Sequence, residues 1–388
     1  MPGILRTWLQ RKRHPATPST PRQIRQARSS GTAAAYRRST ALLLMIEVML
    51  WAALPGVAVA GRGIWIAAVG LLPVGLVIWW VSRWIWSSPT QQQDAAAQKG
   101  RSRPGGECAS HCPWELVLLL VCAVVDAFWL LHCLMQVLHR LMPSYPAGIL
   151  RVVVPALLTA GVLLGKRNGA AYGISLWRWS LPLLAVWVMA HVLRNQGLEQ
   201  LHPLLGRGWK ATGTAALAGL GSLWPCAMLF LLPECTPMRT GGDKGSWRYV
   251  LLPLLAGCLL AVALACCAAW HAAGTDAGYR LLLAGRHGGS MILHGLWALF
   301  WLLGLMAGFC TLLKTAQKLT KHIWPRCPRW LPALAAALPA AALLWIWPQA
   351  LPPLAMRVLP WRILLWALAA AWAGIRKAMR CLQYRKNN

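Results

Sequence analysis

Two carboxylates stand where a water-solvated chain would not put them. Glu47 and Asp126 each lie inside a long apolar stretch. In hydrocarbon an isolated carboxylate costs about 2.5–3.5 kcal/mol on insertion scales, so each should face protein rather than lipid. Two chemistries are open to such a group. It can hold the ammonium of a ligand or a coupling proton, or it can serve as an interhelical hydrogen-bond partner. Asp126, near the middle of its stretch, is the stronger candidate for a ligand or a proton.

The second chemical signal is backbone rather than side chain. Leu54, Pro55 and Gly56 interrupt the first apolar stretch, and Gly219, Gly221, Ser222 and Pro225 interrupt the sixth. Proline removes a backbone donor and clashes with the preceding turn, while glycine weakens a helix, so amides and carbonyls are freed. Inside a membrane the freed groups must find partners. Transporters place such broken helices in corresponding positions of two repeats and hold substrate between the half-helix ends. Leu54, Pro55, Gly56, Gly219, Gly221 and Ser222, with Asp126, are therefore the candidate ligand-binding residues. Ordinary kinked helices are the alternative, since Pro73, Pro155, Pro253 and Pro339 also fall in apolar stretches.

Other chemistries find little support. The 10 histidines are dispersed, and no HExxH, paired acidic motif or serine elbow occurs, which speaks against a membrane hydrolase or transferase. Cys108, His111 and Cys112 form a small cluster without a second ligand pair, so no metal site and no cofactor are expected. The net charge of +30 suggests nucleic acid, particularly with Arg11, Lys12, Arg13, Arg22, Arg25 and Arg28 near the start. No aromatic-interleaved basic domain accompanies that charge. The basic residues read instead as topology signals and contacts to anionic lipid head groups.

These candidates need elements to position them. Of the residues 57% are apolar and only 12% charged, where a soluble chain carries about a quarter charged. The apolar residues group into stretches near the ~20 residues that cross a bilayer as a helix. The spacing predicts an all-α polytopic membrane protein of about ten transmembrane helices. The expected spans are Ala41 to Ala60, Gly63 to Trp86, Pro113 to Leu138, Ala147 to Gly165, Ser180 to Leu193, Ala211 to Pro233, Tyr249 to His271, Met291 to Thr315, Trp330 to Trp347 and Leu351 to Gly374. Most of the 39 Lys and Arg then fall on one side, which places both termini in the cytoplasm. Residues 1–40 read as a basic, disordered cytoplasmic tail, 41–378 as the bundle with a flexible inner loop at 87–112, and 379–388 as a second basic tail.

From about Met142 the chain resembles the spore germination permease family, the B subunit of endospore germinant receptors, within the amino acid–polyamine–cation superfamily. Three stretches carry the likeness: Tyr145 to Leu184, Gly197 to Pro233 with its L-x-P-L-L-G-x-G lead into the sixth span, and Gly278 to Gly304 ending in HGLWALFWLLG. The first two spans fit more loosely, with Arg62 and Gly63 where family members carry an acidic residue. The resemblance implies a five-plus-five inverted-repeat bundle with broken first and sixth helices, set in the inner membrane of a spore. It implies recognition of a small germinant such as an amino acid, and assembly with a germinant receptor A subunit and a lipoprotein C subunit. An amino-acid permease of the same fold is the alternative function, and a polytopic membrane enzyme the more distant one.

Overall fold

The computed structural model describes residues 21–86, 114–141, 147–164, 182–184, 186, 206–231, 247–266, 291–324, 327–328, 330–331 and 361–387. Among these the chain is helical and holds no strand. The inner loop at 87–112 with Cys108, His111 and Cys112, residues 1–20, and most of the fifth and ninth expected spans lie outside the described residues.

The first apolar stretch forms α1 (Pro21–Trp51), a π turn (Ala52–Gly56), a short α2 (Val57–Ala60) and a 3-10 turn (Gly61–Gly63), and continues as α3 (Ile64–Trp86). Proline explains the π turn. Pro55 has no N–H and its ring crowds the carbonyl four residues back, so the helix widens, and the amide of Val57 reaches back five residues to Ala52 O. Residues Tyr36 to Ile85 make one apolar run of 50 residues. At about 1.5 Å per residue that run is more than twice the ~30 Å of a bilayer core, so it supplies two crossings. The helix is interrupted at Gly61, whose φ of 58° is open to glycine at little cost.

The remaining elements are α4 (Trp114–Leu141), α5 (Ala147–Leu164), α6 (Trp209–Leu220), a 3-10 turn (Gly221–Leu223), α7 (Pro225–Leu231), α8 (Arg248–Cys266), α9 (Met291–Ile323) and α10 (Trp361–Asn387). Besides the Tyr36 to Ile85 run, Trp114–His139, Arg248–Cys266 and Gly295–Lys321 are long and apolar enough to cross a membrane. The exposed side chains of the bundle include Val77, Trp80, Leu157, Leu217, Leu299 and Leu368, a surface suited to lipid.

Two boundaries differ from expectation. The helix starts at Pro21, so residues 21–40, expected to be disordered, are helical. This segment is rich in Ala, Gln and Arg, which are good helix formers, and it extends a helix already nucleated by the span that follows. At the other end α10 runs on to Asn387, so the second basic tail is a helical extension of the last span.

Packing sorts the helices into two groups. α8 lies along both α1 and α3, and α3 in turn packs on α6 and α7. In the second group α9 lies along α4, which also carries α10, while α5 touches both α9 and α4. Between the groups, α9 meets α1, and α10 meets α3 and the 3-10 turn at Gly221–Leu223.

Candidate functional site

The two interrupted segments meet. The π turn of the first contacts α6, and the 3-10 turn of the sixth contacts α1. Leu54, Pro55, Gly56, Gly219, Gly221 and Ser222 are all buried. Trp51, the residue just before the π turn, lies across the junction and donates its indole N–H to Ala215 O at 3.0 Å. Gly219 makes this approach possible. A Cβ there would stand 2.6 Å from Trp51 Cε2 and 2.8 Å from Leu71 Cδ1, closer than side chains tolerate. Ser222 Oγ donates to Gly219 O at 2.6 Å, so its hydroxyl serves a carbonyl within the interruption. Pro225 opens α7, where a missing N–H costs nothing because the first helical amides have no intrahelical acceptor.

The segment leading into α6 closes the other side of this junction. Gly206 (φ 53°) and Gly208 (φ 98°) shape a turn against the end of α2, and a Cβ at Gly206 would lie 2.5 Å from both Ala60 O and Gly63 N. Arg207 sits between them. Its amide donates to Ala60 O at 3.3 Å and its Nη1 to Ala58 O at 2.8 Å, satisfying carbonyls that the end of a helix leaves without partners. The turn therefore ties the far half of the first broken helix to the start of the second.

One turn of structure deeper, the carboxylates meet a cation. Arg362, in the first turn of α10, pairs through Nη1 with Glu47 Oε2 at 3.0 Å and with Asp126 Oδ1. Asp126 Oδ2 accepts the indole N–H of Trp224, the residue between the 3-10 turn and α7. All four side chains are buried, Asp126 at 0% and Arg362 at 2% exposure. The cluster thus joins α1 and the Trp224 junction of one packing group to α4 and α10 of the other. Asp126, singled out from the sequence, is held in this ion pair and lies beside the interruption through Trp224. Gly56 and Gly219 both come up against the Trp51 ring, while the π turn that holds Leu54 and Pro55 packs on α6 and the 3-10 turn that holds Gly221 and Ser222 packs on α1.

Sequence reasoning passed over Arg362, Trp224 and Trp51. A signal existed for the first: a basic residue inside the last apolar stretch needs a buried counter-charge, and Glu47 and Asp126 were the available ones. Trp224 and Trp51 carry no such mark among 25 tryptophans. A second ion pair, Arg376 with Glu115, ties α10 to α4 near the end where α4 begins. Tyr36 OH and Thr315 Oγ1, 2.9 Å apart, join α1 to α9, with Lys318 Nζ 4.7 Å from the Tyr36 ring centroid. Among the described residues no group of three or more His, Cys, Asp or Glu could hold a metal ion.

No protein-family model matches the chain, and no curated protein does. Solved structures do. A point mutant of the Eremococcus coleocola manganese transporter matches with a TM-score of 0.54 at 15% identity, over 88% of this chain and 78% of that one. The same transporter in complex with an aromatic bis-isothiourea substituted compound matches at 0.53 and 14% identity, over the same shares. A second point mutant of it gives 0.54 and 16%. Sequences this far apart share architecture rather than chemistry, and the likeness spans most of both chains. Taken with its apolar, membrane-length helices, the chain is an integral membrane protein with the fold of a membrane transporter.

Proposed function

We propose that this protein recognises a small zwitterionic molecule, such as an amino acid, at the junction of its two interrupted helices. The observation that carries the reading is the meeting of the two interrupted segments: the π turn at Leu54, Pro55 and Gly56 packs on α6, the 3-10 turn at Gly221 to Leu223 packs on α1, and the indole of Trp51 bonds across to α6. Irregular backbone at membrane depth occurs where it is buried in protein or lines a cavity, and it offers amides to a carboxylate and carbonyls to an ammonium. Displacement of Trp51 from Gly219 is the movement that would open room for such a ligand.

A divalent metal, the cargo named for the structural neighbours, is a poorer match. The residues at the junction offer backbone and one hydroxyl, and the nearby carboxylates of Glu47 and Asp126 are both engaged by the chain's own Arg362. Manganese sites draw on carboxylate, carbonyl and water oxygen, and on charged ligands above all.

In its finer form the proposal follows the resemblance over 145–184, 197–233 and 278–304. The protein is then the B subunit of a germinant receptor, a ten-helix five-plus-five bundle in the spore inner membrane with cytoplasmic termini. It senses a germinant, works with an A subunit and a lipoprotein C subunit, and starts germination. An amino-acid permease of the same fold is the second reading. The purified full chain in lipid vesicles separates the two. Saturable binding of a labelled amino acid without accumulation inside the vesicles is the result expected of a sensor, and accumulation that of a permease. Absence of both binding and uptake across the twenty amino acids would overturn the proposal.

A further inference from the structure

Lys314, Lys318 and Lys321 share one face of α9. They are spaced four and three residues apart, so they stand in a line along the helix, with about 6 Å of rise between the first two. Like charges at that spacing repel one another and destabilise a helix. α9 contains no Asp or Glu, and α1, which packs on it, has only Glu47. The carboxylates of the described residues, Glu47, Glu115 and Asp126, are all engaged by Arg362 and Arg376 of α10. Lys314 and Lys321 therefore meet no carboxylate among the described residues.

The packing of α1 on α9 sets the depth of these lysines. Gly304 lies against Ile46, Gly308 against Leu43 and Thr315 against Tyr36, so the two helices run antiparallel. One apolar run begins at Tyr36 and the other closes at Lys321, which puts the lysines at head-group level on one membrane face. Thr315 Oγ1 donates to Thr311 O at 2.9 Å, so it accepts from Tyr36 OH, also 2.9 Å away. That bond fixes the phenol ring, and Lys318 Nζ lies 4.7 Å from the ring centroid. Trp324, exposed just past the end of α9, is a residue suited to the same interface.

An apolar track leads from the lysines toward the bilayer centre. Leu296, Leu299 and Leu303 are exposed on α9, and half-buried Ala307 and Cys310 continue the same face to Lys314. From Leu303 to Lys314 the helix rises about 16 Å, close to the ~15 Å of hydrocarbon in one leaflet. We propose that this face binds one anionic phospholipid, with its phosphate at Lys314, Lys318 and Lys321 and an acyl chain along Leu303, Ala307 and Cys310. A phosphate offers oxygens to several ammonium groups at once, and lysine meets it as a point charge on a flexible stem. The charge offsets the repulsion along the lysine line, while the chain covers apolar surface that a soluble anion would leave bare. Lipid bound here would brace the contact between α1 and α9 whatever molecule occupies the helix junction.

Native mass spectrometry of the full chain, released from nanodiscs of mixed phosphatidylglycerol and phosphatidylcholine, tests this directly. Wild type should retain phosphatidylglycerol in preference to phosphatidylcholine, with one copy resisting the collisional activation that strips the others. Lys314→Gln combined with Lys318→Gln should weaken that retention about tenfold or more. Lys210→Gln, which removes a positive charge at the start of α6, should leave it unchanged, and so should Lys314→Arg. Equal retention of the two lipids by wild type would overturn the proposal without recourse to any variant. So would a preference that survives in the double variant. Release of the retained lipid by millimolar inorganic phosphate would also overturn it, because the site would then be one for a soluble anion. The lipid site is separate from the helix junction, so either reading can fail while the other stands.

Discussion

α10 carries two arginines that pair with carboxylates, and the two pairs do different work. Arg376 meets Glu115 with its side chain 33% exposed, where water can replace either partner. Arg362 meets Glu47 and Asp126 where nothing can, its side chain 3% exposed. The first arrangement ties two helices of the same packing group. The second crosses from one group to the other and lies beside the broken helices. Burial, rather than the presence of an ion pair, decides how much the protein depends on the contact.

Removing the buried cation should have the largest effect. Arg362→Met leaves two carboxylates facing each other in a dry site, and loss of one member of a buried pair costs about 3–5 kcal/mol. The expected result is a marked drop in the thermal midpoint of the detergent-solubilised protein, or failure to accumulate in the membrane. A midpoint unchanged from wild type would mean that the cluster is hydrated.

Removing the charge of either acid should come next. Asp126→Asn keeps an acceptor for Trp224 but removes the charge that faces Arg362, for about 2 kcal/mol, within the range of bonds to charged groups. Glu47→Gln should cost a similar amount, because it too keeps an acceptor for Arg362 but removes the charge that faces it. No loss in either variant, measured by thermal or denaturant unfolding, would mean that Arg362 draws no stability from that carboxylate. At the rim, Glu115→Gln should cost no more than about 1 kcal/mol, as partly exposed pairs do. A larger loss there would show that both pairs are sealed from water.

Much of the architecture is legible in the residues. Apolar length gave the helices of the second, third and fourth expected spans to within a few residues at both ends, and the starts of the seventh and eighth, because hydrocarbon thickness leaves helices little choice. Pro55 and the Gly219 to Pro225 segment marked the two places where regular helix stops, since the chemistry of those residues is local. The meeting of these segments was not legible from any local feature. It depends on how α3 and α8 hold the first broken helix against α6, which only the packed bundle shows. Arg362 illustrates the same limit. Its position 315 residues from Glu47 in sequence hides a contact of 3.0 Å. The helical segment from Pro21 was concealed by its polarity, because charge suggested a tail while residue propensity and the adjoining span favour a helix.

The most direct test of the account is equilibrium binding of a labelled amino acid to the wild-type protein and to Gly219→Leu, both in lipid nanodiscs. Gly219 is where the second broken helix comes up against Trp51, and a leucine would occupy the space into which ligand and indole must fit. The account predicts saturable binding by wild type and at least a tenfold loss in Gly219→Leu, about 1.4 kcal/mol, with the variant still inserted and its tryptophan fluorescence close to native. Undiminished binding by a folded Gly219→Leu protein would contradict it and would place the ligand elsewhere in the bundle.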